Sequence, residues 1–104
     1  MSNSELRLMA IEEAYYNMAH ILNKSDKVDE IIDAINKALR SLLNSIFNGI
    51  PANNYMAYNI ILIASAFIKR NEEKYCYIES FCNLKTLLKV INSHRNKEEI
   101  SSKR

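Results

Sequence analysis

Apolar residues recur along most of this chain at alternating steps of three and four, the signature of helices that bury one face. Leu8, Ile11, Tyr15, Met18 and Leu22 make the first such seam and predict a helix over about residues 4–22. The polar run from Asn23 to Lys27 breaks the pattern, with Ser25 or Asp26 placed to cap the next helix. Val28, Ile32, Ile35, Leu39, Leu42 and Ile46 then define that second helix over almost three heptads. Its acidic residues, Asp29, Glu30 and Asp33, precede Lys37 and Arg40, the order that the helix macrodipole favours. Gly49 and Pro51 fall together at its expected end.

The third segment, expected over Tyr55–Arg70 after Asn53 or Asn54 as cap, is apolar nearly all round from Ile60 to Ile68. A β-strand is the competing reading for so many β-branched residues. The run exceeds usual strand length, however, and has no hairpin partner of similar character. A helix with no polar face is buried on more than one side, so this one is expected to lie at the centre of the monomer or beneath a second copy. Asn71, followed by Glu72 and Glu73, is a candidate cap for a fourth helix, although nothing between Lys69 and Lys74 forbids one continuous rod. The fourth seam is Tyr77, Phe81, Leu84, Leu88 and Ile91. From Ser93 the chain turns polar and is expected to fray. The pattern therefore predicts an all-α protein: a small antiparallel bundle of three to four helices over residues 1–92 with a polar tail over 93–104, assembled as a homodimer. Ile31, Leu43, Phe47, Leu87 and Val90, apolar residues off the seams, favour the dimer.

Composition narrows the function classes. One glycine in 104 residues cannot supply the positive-φ positions that phosphate-cradling loops and nucleophile elbows use. Fourteen Lys and Arg against twelve Asp and Glu give a net charge of +2, all of it contributed by residues 93–104. A body of balanced charge offers no basic stripe for phosphate neutralisation, so a nucleic-acid partner is not expected. The most apolar stretch, Met56–Ile68, falls short of a membrane span and carries Tyr58, Asn59 and Ser65. With no basic and apolar leader at Met1–Glu5, the expectation is a cytoplasmic protein with free thiols. Cys76 and Cys82, read as lying on one helix, would stand about 9 Å apart along its axis, too far for a bridge.

No catalytic, cofactor or metal residue is expected. His20 and His94 have no Cys or carboxylate at the spacing that zinc or di-iron sites on helices require. Glu12 and Glu13 are adjacent and point about 100° apart, which suits a solvated face better than an acid/base pair. Either thiol as a nucleophile needs a base nearby in space, which sequence does not supply. The tyrosines are more suggestive. Tyr15, Tyr16, Tyr55 and Tyr58 offer contact area with a polar handle and form the candidate surface for a protein partner. The structural alternative is that each ring closes the edge of the core with its hydroxyl in water.

In outline the chain resembles the YmgB/AriR family of small helical regulators, connectors in two-component signalling, biofilm and acid-stress control. Tyr15-Tyr16 resembles that family's aromatic pair, Ala34-Ile35 its second segment, and Asn53-Asn54 with Ile60-Ile61-Leu62 its polar turn and third segment. Lys85-Thr86-Leu87 and Val90-Ile91 resemble the close of its last helix. The chain lacks the glycine that the family usually has in its second segment, and its loop is longer. The resemblance implies a dimeric regulatory protein. The function expected is thus that of a non-enzymatic connector that works by binding another protein. The alternative is a helical immunity or inhibitor protein that sequesters a toxin or other target.

Overall fold

A computed structural model describes residues 3–48 and 54–102, with side chains placed over residues 9–48 and 55–95. The described chain is all-helical: α1 (Asn3–Lys24), α2 (Val28–Phe47), α3 (Asn54–Tyr75) and α4 (Glu79–Ser102). No strand occurs among the described residues, so the β-branched run of the third segment is helix.

The helices form because their seams bury together. Ile32, Ile35, Leu39 and Leu42 of α2 close on Ile11 and Met18 of α1, on Met56, Ile60, Ala64 and Ile68 of α3, and on Phe81, Leu84 and Ile91 of α4 in one apolar core. The second helix is the centre of this arrangement, since it packs most extensively on α1, next on α4, and also on α3. Of the two settings expected for the third helix, the centre of the monomer is not the one it takes. The molecule measures 41 × 33 × 20 Å, and 20 Å is about two helix diameters. In a body two helices thick a peripheral helix keeps one face toward solvent, and Tyr55, Tyr58 and Leu62 of α3 are 73%, 56% and 52% exposed.

The boundaries show where local signals lose to packing. At the start of α2 the N-cap is Lys27, with no side-chain cap bond, rather than Ser25 or Asp26. The Ser25 hydroxyl instead accepts from the Lys27 amide (3.1 Å) and donates to the Glu30 carboxylate (2.6 Å), which ties the linker to the first turn of the helix. At the end of α2, the Asn48 amide donates to the Asn44 carbonyl at 3.2 Å and its side-chain amide does so at 2.7 Å. Gly49, Pro51 and Asn53, the expected stop and cap, lie outside the described residues.

Asn71 does not begin the fourth helix. It lies inside α3, where its side-chain amide donates to the Phe67 carbonyl one turn back at 2.8 Å. The break comes after Tyr75, where the Ile78 amide donates to the Tyr75 carbonyl and the Cys82 amide to the Ile78 carbonyl, each at 3.0 Å. Neither glycine nor proline marks it. Tyr75 and Phe67 pack across the turn against the buried Phe81 ring, with centroids 6.2 and 6.1 Å away, and aromatic packing of this kind outweighs weak helix propensity. Tyr77, expected in the fourth seam, is in the turn and 80% exposed. The backbone of α4 stays helical through Ser102, across the polar segment where fraying is expected. No helix is long and apolar enough to cross a membrane among the described residues.

Candidate functional site

The outward face of α3 is built by a simple register. Tyr55, Tyr58 and Leu62 succeed one another at steps of three and four and so share a face, while Met56, Ile60 and Ala64 point into the core. The same periodicity that seats α3 on the bundle therefore presents two tyrosine rings and a leucine to solvent. A single exposed leucine is ordinary; three large apolar side chains on one helical face make a patch.

The tyrosines of α1 border this patch. Tyr15 is half-buried, and its hydroxyl accepts a hydrogen bond from the Asn59 side-chain amide of α3 at 3.4 Å. Tyr16 packs against Tyr15 with ring centroids 5.5 Å apart and is 63% exposed. Met9, seven residues earlier on the same face of α1, is also exposed. The structure thus joins the α1 pair to α3 through Asn59, a residue that reads in sequence only as a polar interruption of an apolar run. The available signal is its setting: an asparagine among isoleucines marks a helix edge where a polar group from another helix arrives.

At one end of the bundle, Tyr55 and Tyr58 line a groove of about 450 Å³ with Ala57 and with Arg95 of α4. Phe47, the last residue of α2, meets His94 edge-on with centroids 4.8 Å apart, so one candidate histidine is engaged in a ring contact. A second groove, of about 510 Å³, lies between Glu13 and Asn17 of α1 and Lys37 and Arg40 of α2. It is wide open, and Lys37 is occupied by an ion pair with Asp33 at 3.2 Å. The remaining candidates are scattered. His20, Glu12 and Glu13 are exposed on α1, and among the described residues no three His, Cys, Asp or Glu side chains converge as metal ligands would.

The two cysteines stand in a different relation from the one that a single helix implies. Cys76 opens the turn after α3 and Cys82 lies in the first turns of α4, both exposed. The turn folds them together: the Cys82 thiol donates to the Cys76 carbonyl, with Sγ 3.3 Å from the oxygen. Beside them Lys85 of α4 donates to the Glu72 carboxylate of α3. This bond and the attraction behind it hold the Lys85 ammonium above its usual range and the Glu72 carboxyl below its own.

Fold and surface together define a small all-helical protein with an exposed aromatic face on a peripheral helix. Comparison with protein-family models, curated proteins and solved structures gives no match.

Proposed function

We propose that this is a non-enzymatic regulatory connector that works by protein–protein binding, assembled as a homodimer along the outward face of α3. The observation that carries the reading is the exposed row Tyr55, Tyr58 and Leu62 on the helix least enclosed by the bundle. Tyrosine and leucine on a rigid helical face provide apolar contact area that loses little side-chain entropy when covered. A second copy of the chain is a fitting occupant, because an isologous contact lets one face satisfy itself. The resemblance to dimeric helical regulators favours the same assembly. Tyr16 and Met9, on the exposed side of α1, remain free in that dimer to meet a different protein.

The test uses the full chain and two substitutions. Leu62→Asp places a charge in the row and is expected to yield monomers with unchanged helical content. Tyr16→Ala is expected to leave the dimer intact and to weaken capture of the target protein from the native host. A stoichiometric signalling or transcription component in the wild-type eluate supports the connector reading, a toxin would replace it with an immunity role, and an eluate free of other proteins would contradict both.

A further inference from the structure

The turn between α3 and α4 brings both cysteines of the chain to one exposed place. The Cys82 sulfur is 3.3 Å from the Cys76 carbonyl oxygen and therefore within about 6 Å of the Cys76 Cα. The Cys76 thiol points back toward the Glu73 carbonyl at 3.9 Å, a weak contact that rotation about χ1 releases in an exposed side chain.

We propose that Cys76 and Cys82 form a dithiol that hydrogen peroxide oxidises to an intramolecular disulfide across the α3–α4 turn. The Cys82 thiolate attacks one peroxide oxygen, the O–O bond breaks, and the departing hydroxide takes up a proton to leave as water. Cys82 is then a sulfenic acid. The Cys76 thiolate attacks that sulfur, the S–O bond breaks, and a second hydroxide leaves as water. Two thiols have lost two electrons and two protons, and one peroxide has become two waters. The exposure of the turn gives the oxidant access to both sulfurs. The product fixes the end of α3 to the start of α4, so the modification acts on the element that carries the exposed aromatic row.

The experiment treats the reduced full-length protein with equimolar hydrogen peroxide, alkylates the remaining thiols, and reads intact mass and the tryptic peptide 75–85, which holds both cysteines. The expected product is a single chain lighter by two hydrogens, unalkylated, and restored by dithiothreitol. Cys76→Ser is expected to stop at a dimedone-reactive Cys82. Two alkylatable thiols after treatment, or a disulfide-linked pair of chains as the main product, would overturn the proposal. So would a Cys76→Ser protein in which dimedone finds no Cys82 adduct.

Discussion

Asn36 is the one polar side chain other than Ser45 that is buried among the described residues. Its amide nitrogen donates to the Ser80 carbonyl at the start of α4 (3.3 Å), while its carbonyl oxygen has no partner. The bond ties the middle of α2 to the first turn of α4 and is offset by the desolvated oxygen, so its net contribution is small. Asn36→Asp changes that balance sharply, because it sets a carboxylate against a carbonyl in an apolar core. We predict a loss of about 3 kcal/mol or more at pH 7, much of it recovered as acid neutralises the new carboxyl. Urea unfolding at neutral and acid pH measures it. Glu72 and Lys85 make the opposite kind of pair, exposed and dispensable. The depressed Glu72 carboxyl contributes stability above its unfolded value of 4.5 and loses it as pH falls through the lower folded value. The raised Lys85 ammonium contributes fully below 10.5 and loses its contribution as pH rises through the higher folded value. The gap in melting temperature between wild type and Glu72→Gln is therefore expected to exist at neutral pH, to close at both extremes, and to shrink with salt.

The helices differ in how much of the fold rests on them. Leu39 is fully buried in α2 between the other helices, and Leu39→Ala is expected to cost about 2–5 kcal/mol, a large part of the stability of a domain this size. Leu62→Ala, on the open face of α3, is expected to change monomer stability by no more than about 0.5 kcal/mol. Hydrogen exchange checks the ranking: amides in the middle of α2 should be the slowest and those along α3 faster. The same contrast separates what is legible in the sequence from what is not. The all-helical character and the seam of α2 emerge from spacing alone, because Ile32, Ile35, Leu39 and Leu42 report a local period. The rank of the helices does not. Apolar residues all round α3 read as a helix at the centre of the monomer or beneath a second copy, and spacing does not choose between them; Leu62 and Ala66 face solvent, since enclosure depends on how many helices the chain can supply around it. The break at Tyr75–Ile78 is illegible for a related reason: it is set by Phe67 and Tyr75 meeting Phe81, and no local breaker stands there. The approach of the two cysteines is hidden with it, since it exists only because the turn does. Of the candidate surface, Tyr16, Tyr55 and Tyr58 are readable as candidates, but spacing does not decide between an exposed ring and one that closes the edge of the core; the structure exposes all three. The link between them through Tyr15 and Asn59 is a tertiary contact that spacing does not encode.

At the scale of the whole molecule, a chain of 104 residues folded two helices thick has more apolar surface than its own elements cover. The consequence is the row on α3, and the proposed assembly stands or falls on whether a second copy covers it. A stable dimer buries about 1,200–2,000 Å² in total, so a charge buried within the row should abolish it rather than weaken it slightly. The direct measurement is light scattering of wild type and Leu62→Asp at micromolar concentration, with circular dichroism of both. A dimer along α3 predicts a wild-type mass twice the 12.0 kDa of one chain, and a single-chain mass with equal helicity for the variant. A wild-type protein of 12.0 kDa, or a Leu62→Asp protein that remains dimeric, would contradict it.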